Sequence, residues 1–197
     1  MSLIDDIRIG ADGIARCRWC DVDDEYRRYH DEEWGRRPVH DDEWFEKVCL
    51  EGFQAGLSWI TILRRRDRFR EVFDGFDPST VATFGERQVR AALRDAGIIR
   101  HEGKIRSTIN NAARALDLKR EFGSLGQFFI QFAEPEKSAP RRLADIPAKT
   151  ETSLALSKAL RSRGWTFVGP TTMYAMAQSM GLVNDHLVSC DTRTRCP

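Results

Sequence analysis

The chain lacks any long hydrophobic run, and no stretch approaches the roughly 18 consecutive apolar residues that a membrane span requires. It also lacks an excess of either charge, because 31 Lys and Arg residues are balanced by 30 Asp and Glu residues. The net charge of +1 gives no overall attraction to nucleic acid. A nucleic-acid site would therefore depend on local clusters of basic residues, and we expect no membrane association.

An apolar leader segment is also lacking, although the chain carries five cysteines. Reduced cysteines are typical of the cytoplasm, whereas disulfide frameworks are typical of secreted proteins, so we expect a cytoplasmic protein. A chain of 197 residues can bury roughly 70% of its unfolded surface without covalent staples. We expect a monomer in which residues 1–15 form a tail and residues 16–197 form one domain of two helical lobes.

Apolar residues recur at intervals of three and four along most of the chain, a pattern that predicts helices. Between residues 41 and 66 the pattern is interrupted at Gly52 and Gly56, so two helices should meet near this glycine turn. Further helices are predicted over residues 79–84, 86–95, 102–121, 124–133, 151–162 and 171–180. The Pro-rich segment 133–150 should be a long connection. No strand is predicted, and the fold class is therefore all-α.

Two pairs of potential metal ligands lie near opposite ends of the chain, Cys17 with His30 and His186 with Cys190. The second pair is four residues apart, so on a helix both side chains would project from one face. Two thiolates and two imidazoles form a tetrahedral set that neutralises Zn²⁺ and leaves no position for water. Such a site would be structural rather than catalytic.

Other cysteines offer a competing ligand set. Cys17 and Cys20 form a C-x-x-C pair, which is the commoner zinc half-site, and Cys196 provides a further thiol near the other end. Any one of these residues alone is more often packed or exposed than bound to metal. The spacing of the residues does not distinguish between the two sets.

A possible DNA-binding hairpin lies near the carboxyl end. A predicted helix ends in basic residues, the last of them Arg163, and a short apolar loop leads through Gly169 to a second helix near Thr171. This layout is typical of a helix-hairpin-helix, in which backbone N–H groups at the start of the second helix hold a DNA phosphate. An ordinary packing corner has the same pattern, so the hairpin alone leaves both interpretations open.

Five segments form a distinctive series along the chain: Arg16–Trp19 (RCRW), Tyr29–Gly35 (YHDEEWG), Leu50–Ile60 (LEGFQAGLSWI), Asp95–Ile105 (DAGIIRHEGKI) and Gly181–His186 (GLVNDH). In content and order they closely resemble the DNA-3-methyladenine glycosylase I family, over residues 16–190. The resemblance implies a helix-hairpin-helix glycosylase fold and removal of 3-methyladenine from alkylated double-stranded DNA. It also implies one structural zinc ion that links the two ends of the chain.

The resemblance assigns roles to individual residues. The family's metal ligands fall on Cys17, His30, His186 and Cys190, which favours this set over the C-x-x-C alternative. Its base-recognition residues fall on the four positions Glu51, Tyr29, Trp59 and, as a further wall of the pocket, Trp19.

Substrate chemistry fits these residues. Methylation at N3 makes adenine cationic in DNA, so stacking and cation–π attraction to Trp59 can hold a flipped lesion. The Glu51 carboxylate, which we predict to be the catalytic group, can accept hydrogen bonds from the base. Gln54 and Leu57 are predicted to fill the gap that the flipped nucleotide leaves in the duplex.

The predicted hairpin contains no lysine. Strand-cleaving helix-hairpin-helix glycosylases resemble one another in having a lysine there, which attacks the sugar, whereas residues 168–172 read Val-Gly-Pro-Thr-Thr. We therefore predict a monofunctional enzyme in which water attacks the anomeric carbon, free 3-methyladenine is released and no Schiff base forms. Three alternatives stay open: a zinc-stabilised module that binds alkylated DNA without cutting it, a hydrolase that uses the metal on a small substrate, and a divergent relative that acts on another modified base.

Overall fold

Ten α-helices and one short β-hairpin make up the described part of the chain, residues 6–135 and 138–196 of a computed structural model. The helices are α1 (Asp24–Glu32), α2 (Asp41–Gln54), α3 (Trp59–Leu63), α4 (Arg66–Val72), α5 (Pro78–Val81), α6 (Glu86–Arg94), α7 (Glu102–Phe122), α8 (Leu125–Ile130), α9 (Glu151–Ser162) and α10 (Pro170–Ser179). The prediction of a mostly helical fold is confirmed. Across the described residues, no helix combines the length and apolar character that crossing a membrane would require.

The region predicted to be an N-terminal tail contains a β-hairpin. Strand β1 (Ile7–Ile9) pairs antiparallel with β2 (Ala15–Cys17), so that Ile7 lies opposite Cys17. The all-α expectation missed this hairpin because strands of three residues carry too little alternation to be recognised. Asp191 accepts a hydrogen bond from the Ala15 N–H at 2.7 Å and donates its own N–H to the Ala15 carbonyl at 2.9 Å. The hairpin thereby brings Cys17 beside the carboxyl-terminal segment.

Helix α2 lies at the centre of the fold. It contacts α3, α7, α8 and α10, and nine of its 14 residues are buried. A helix buried on most sides is expected to be almost wholly apolar, because an ionisable side chain is costly to remove from water. Two of the nine are nevertheless ionisable, Lys47 and Glu51.

The break between α2 and α3 differs in detail from the prediction. Only Gly56 adopts the left-handed backbone, with φ of +86°, and it forms the turn. Gly52 lies inside α2, where a Cβ would be in ordinary van der Waals contact, at 3.4 Å, with the Cβ of Phe167 in the loop before α10. Glu51 therefore belongs to the last turn of α2 and not to a helix break.

Side-chain caps explain where several helices begin. Asp23, His101, Ser124 and Thr150 each accept a hydrogen bond from a backbone N–H in the first turn of α1, α7, α8 and α9 respectively. Helix α10 differs, because its preceding residue, Gly169, has no side chain to provide such a cap. The first N–H groups of α10 are therefore not occupied by a side-chain cap.

Helices α9 and α10 pack against each other and are joined by residues 163–169. The buried Trp165 anchors this loop in the core, and Ser157 of α9 donates a hydrogen bond to the carbonyl of Val168 at 2.6 Å. Segment 133–150 has only a short 3₁₀ turn, Leu143–Asp145, within its described residues. These observations agree with the predicted pair of helices and the predicted long connection before them.

Candidate functional site: an aromatic cavity and a cysteine–histidine cluster

A cavity of about 210 Å³ lies between α1, α2, α3 and α10 and is walled mainly by aromatic side chains. Its lining includes Trp19, Tyr29, Glu51, Gln54 and Trp59. The structure therefore brings together all four residues that the sequence predicted to contact a base, and Gln54 with them. Ligand pockets commonly combine such an apolar lining with a few well-placed polar groups.

The aromatic rings of the cavity support one another. The centroid of the Tyr29 ring lies 5.4 Å from that of Trp59 and 6.5 Å from that of Trp19, and Tyr26 lies 5.0 Å from Trp19. Such tilted and edge-on contacts fix the rings relative to one another. A planar heterocycle that enters the cavity would meet rigid aromatic walls.

Glu51 contributes a buried carboxylate to this lining. Only 4% of the residue is exposed, and burial raises the pKa of its carboxyl group to about 7. The positive charge of Lys47 opposes that rise. A buried ionisable group with a perturbed pKa in a cavity is typical of a functional site.

Lys47, one turn before Glu51 on α2, is a residue that the sequence interpretation missed. Its Nζ donates a hydrogen bond to the Tyr29 hydroxyl at 2.8 Å and lies 3.9 Å from the centroid of the Trp59 ring. Lys47 lines a neighbouring cavity of about 430 Å³ and contacts Tyr29 and Trp59, two residues in the wall of the aromatic cavity. The available signal was the i, i+4 spacing of two opposite charges inside an apolar segment.

The turn after α2 presents the residues predicted to enter the duplex. Leu57 is 43% exposed at the tip of the turn, although it is an apolar residue, and Gln54 ends α2 at the edge of the cavity. The positive φ of Gly56 between them produces the sharp reversal of the backbone. Gln54 thus lines the cavity, and Leu57 projects into solvent from the turn that follows it.

Lys104 tethers that turn to α7. Its Nζ donates hydrogen bonds to the carbonyls of Phe53 at 2.8 Å and Ala55 at 2.7 Å, which are acceptors left free at the end of α2. Lys104 therefore anchors the end of α2 and the turn that follows it. His101, in the same segment, caps α7 by accepting from the N–H of Lys104.

The hairpin residues predicted to contact DNA lie at two different places. Gly169 and Thr171 are at the start of α10, where the helix has no side-chain cap. The guanidinium of Arg163, at the end of α9, forms an ion pair with Glu121 at 2.9 Å and lies 5.6 Å from the centroid of the Phe122 ring. Arg163 therefore ties the hairpin to α7, and a phosphate contact would have to compete with this ion pair.

Another basic residue lies nearer to the start of α10. An Nη atom of Arg161 is 3.6 Å from the position that a Cβ on Gly169 would occupy, and the side chain is exposed. The sequence alone favoured Arg163 as the phosphate contact. Its ion pair with Glu121 could not be seen there, because the two residues are 42 positions apart in the chain.

The four cysteine and histidine residues predicted to bind metal form one buried cluster. Their ligating atoms all lie within 4.8 Å of one another. Cys190 Sγ is 3.5 Å from both His30 Nε2 and His186 Nδ1, and Cys17 Sγ is 3.9 Å from His186 Nδ1. Tetrahedral zinc, with Zn–S near 2.3 Å and Zn–N near 2.05 Å, would separate sulfur from nitrogen by about 3.5 Å. Two of these three distances match this value and the third is longer, so the four residues are close enough together to hold a tetrahedral metal ion.

The outward nitrogens of the two histidines also fit metal binding. His30 Nδ1 lies 2.7 Å from a carboxylate oxygen of Asp31, and His186 Nε2 lies 3.3 Å from the carbonyl of Trp34. Because these oxygens can only accept, each outward nitrogen would carry the proton in the metal-binding tautomer, which makes the inward nitrogen available as a ligand. Arg16 in turn holds Asp31 through Nε at 2.8 Å.

The competing thiols lie outside this cluster. Cys20 Sγ is directed to the carbonyl of Cys17 at 3.1 Å, and Cys196 Sγ to the carbonyl of Trp34 at 3.7 Å.

His186 and Cys190 do not share a helix, in contrast to the simplest expectation from their spacing. A turn closed by the N–H of Cys190 on the carbonyl of Leu187 brings them together instead.

Comparisons with known proteins extend over nearly the whole chain. A sequence model of the methyladenine glycosylase family matches residues 19–194. DNA-3-methyladenine glycosylase 1 of Escherichia coli (strain K12) is 45% identical over 183 residues, which cover 90% of this chain and 96% of that protein.

Solved structures show the same similarity. A crystal structure of 3-methyladenine DNA glycosylase I superposes with a TM-score of 0.86 at 43% identity, covering 89% of this chain and 98% of that one. A variant of a 3-methyladenine DNA glycosylase I, crystallised in complex with 3-methyladenine, gives a TM-score of 0.86 at 28% identity and covers 90% and 97% of the two chains.

Proposed function

This chain belongs to the methyladenine glycosylase family, and we propose from that premise that it is a monofunctional DNA glycosylase that excises 3-methyladenine from alkylated double-stranded DNA. The family resemblance of the five sequence segments is thereby confirmed. The similar proteins are named as glycosylases for 3-methyladenine, which supports a DNA glycosylase for alkylated bases. The observation that carries the finer proposal is the buried Glu51 carboxylate in an aromatic cavity.

Recognition would depend on the positive charge of the lesion. A desolvated cation over an aromatic face gains about 2 kcal/mol, and a hydrogen bond to a charged group contributes about 1.5–3 kcal/mol. A cationic base beside Glu51 also favours its ionised form, so base binding and ionisation of the carboxyl reinforce each other. Unmodified adenine is neutral and would lose most of this stabilisation.

The same charge explains how the bond can break without an amine nucleophile. As the N-glycosidic bond cleaves, its electron pair passes to the cationic base, which leaves as neutral 3-methyladenine. Water adds to the anomeric carbon and loses a proton, which leaves an abasic site in an intact strand. Glu51 stabilises the positive charge of the base and the adjacent sugar, so the enzyme's contribution is positioning and electrostatics.

Binding to the duplex is proposed to involve α10 and the turn after α2. The uncapped N–H groups at Gly169 and Thr171, together with the helix dipole, suit a DNA phosphate in a helix-hairpin-helix arrangement. Gln54 and Leu57 are suited to fill the gap left by the flipped nucleotide. The place of Gln54 in the cavity lining and the exposure of Leu57 on the adjoining turn support this role.

We expect Arg161→Glu to weaken binding to undamaged duplex by a similar factor for every sequence, because phosphate contacts carry no sequence information. The slope of log affinity against log salt should fall by about one. Arg163→Glu, which breaks the pair with Glu121, should mainly lower the melting temperature. Fluorescence anisotropy across a salt series measures the affinity of both variants for the duplex. A larger loss of affinity in Arg163→Glu than in Arg161→Glu would show that Arg163 is the phosphate contact.

We further propose that Cys17, His30, His186 and Cys190 hold one structural Zn²⁺ ion. The closeness of the four ligating atoms and the acceptors beside the outward nitrogens of the two histidines support this proposal. When bound, the metal would link the β-hairpin and α1 to the carboxyl-terminal segment, and four protein ligands would leave it no water to activate. A hydrolase that uses the metal on a small substrate is therefore disfavoured.

The proposed activity is tested with a panel of duplexes that carry different alkylated bases. Chromatography of the released bases should show 3-methyladenine as the main product. Binding of the alkylated duplexes without base release would instead support the non-catalytic module. A different main product would show that the protein acts on another alkylated base. The cytoplasmic location and the monomeric state stay predictions.

A further inference from the structure

We propose that Lys47 is the internal counterion that favours the ionised form of Glu51 in the empty cavity, and that it is thereby a positioning residue for excision. The excision part of this inference rests on the proposed function, whereas the effect on Glu51 does not. Lys47 is a second buried charged residue of α2, one turn before Glu51. Excision by Glu51 alone would not require it.

The contacts of Lys47 join it to the cavity wall. Only 9% of Lys47 is exposed, its Nζ donates to the Tyr29 hydroxyl at 2.8 Å, and it lies 3.9 Å from the centroid of the Trp59 ring and 4.8 Å from that of Tyr29. A buried ammonium is unfavourable unless nearby groups compensate it. The two aromatic faces and the hydroxyl stabilise the ammonium only in part, since none of them carries a full negative charge.

Other charged groups near Lys47 already have partners. Arg66 of α4 pairs with Glu33 through both guanidinium Nη atoms. Glu46 of α2 accepts two hydrogen bonds from Arg70, at 2.8 and 2.9 Å. These two acidic groups are therefore neutralised by arginines. Glu51, one turn along α2, is therefore the acidic group that acts most strongly on Lys47, ahead of Glu33 and Glu46.

The groups that face Glu51 have no competing charge. Burial raises the pKa of Tyr26 to about 12 and also raises that of Tyr29, so both phenols of α1 stay neutral at physiological pH. Burial raises the pKa of Glu51 to about 7, and the Lys47 charge opposes the rise. Burial lowers the pKa of Lys47 to about 8, and the Glu51 charge opposes that fall.

Burial and the Lys47 charge thus act on the pKa of Glu51 in opposite directions. Loss of the Lys47 charge leaves burial unopposed, so the pKa of Glu51 must rise further above its ordinary value of 4.5. Glu51 would then be mostly protonated at neutral pH when the cavity is empty. A neutral carboxyl does not attract a cationic base, so excision should require a higher pH.

Three substitutions at position 47 separate charge from hydrogen bonding. Lys47→Met removes both the charge and the donor to Tyr29, Lys47→Gln removes the charge and keeps a donor, and Lys47→Arg keeps the charge. The ionisation of Glu51 is followed by NMR titration of protein with ¹³C-labelled glutamate side chains, with Glu51→Gln identifying the resonance. Single-turnover excision of 3-methyladenine is measured over the same pH range.

We expect the Glu51 midpoint to rise by about one pH unit or more in both Lys47→Met and Lys47→Gln, and to stay near the wild-type value in Lys47→Arg. The acidic limb of the excision rate should move with it. An unchanged midpoint in both neutral variants would overturn the inference, as would a rate that falls by one constant factor at every pH. A shifted midpoint without base release by any protein, wild type included, would keep the counterion role and refute the proposed function.

Discussion

Glu51→Gln should slow release of 3-methyladenine at neutral pH by roughly 100-fold or more, which is the usual cost of removing a group that stabilises charge in the transition state. Glutamine keeps the size and the hydrogen-bonding oxygen of glutamate but cannot carry the negative charge. Because Glu51 lies in the cavity and not at the hairpin, binding to undamaged duplex should change little. Single-turnover excision and anisotropy together measure both quantities.

The matched control is Glu32→Gln, which makes the same change at an exposed residue of α1. Glu32 lines the neighbouring 430 Å³ cavity and not the aromatic cavity. It should excise at the wild-type rate. Trp59→Ala should reduce both the rate and the preference for 3-methyladenine over adenine through loss of stacking. If Glu51→Gln and Trp59→Ala both excise normally, the base must bind outside the aromatic cavity.

Cys190→Ser should lose its bound zinc and melt at least about 10 °C lower, since a domain of this size loses roughly 2–4 °C for each kcal/mol of stability. Binding energy of a structural metal is folding energy, so the defect should appear in the fold before it appears in the chemistry. Elemental analysis measures the zinc content, and thermal unfolding followed by circular dichroism measures the stability.

Cys20→Ser is the control for this experiment, because Cys20 is also a buried thiol but is directed to the carbonyl of Cys17. It should retain one zinc ion per chain. Zinc retained in full by Cys190→Ser would remove the proposed ligand set, and zinc lost from Cys20→Ser would favour the C-x-x-C alternative.

Helices with clear local signals could be predicted from the sequence almost to the residue. The limits of α9 agree with the prediction because Thr150 caps its start, and α7 ends one residue later than predicted, before Gly123. Gly52 was misinterpreted as a helix break, because a glycine inside a helix gives the same sequence signal as one that ends it. The β-hairpin was missed for a different reason, since contacts with distant Asp191 help to hold it.

Site residues that belong to a recognisable sequence motif could be predicted, whereas a residue whose role depends on packing could not. Glu51, Tyr29, Trp59 and Trp19 belong to segments that resemble the family, and the structure brings all four to one cavity. The i, i+4 spacing of Lys47 and Glu51 could have indicated a pair of charges in the core, but the contacts of Lys47 with two aromatic rings appear only in the folded chain.

The choice of Arg163 as a phosphate contact had a similar limit. Its partner, Glu121, lies on α7 and is remote in sequence, so the ion pair appears only in the folded chain. Charge runs in a sequence thus indicate where basic groups are concentrated, but not which of them are already paired.

The central claim is that the protein hydrolyses the N-glycosidic bond of 3-methyladenine without an amine nucleophile. It is tested most directly by incubating wild-type protein with a duplex that contains one 3-methyladenine, in the presence of borohydride. We predict release of free 3-methyladenine, an abasic site in an otherwise intact strand, and protein that is free of covalently bound DNA. A borohydride-trapped protein–DNA adduct, or an intact glycosidic bond after prolonged incubation with excess protein, would contradict the account.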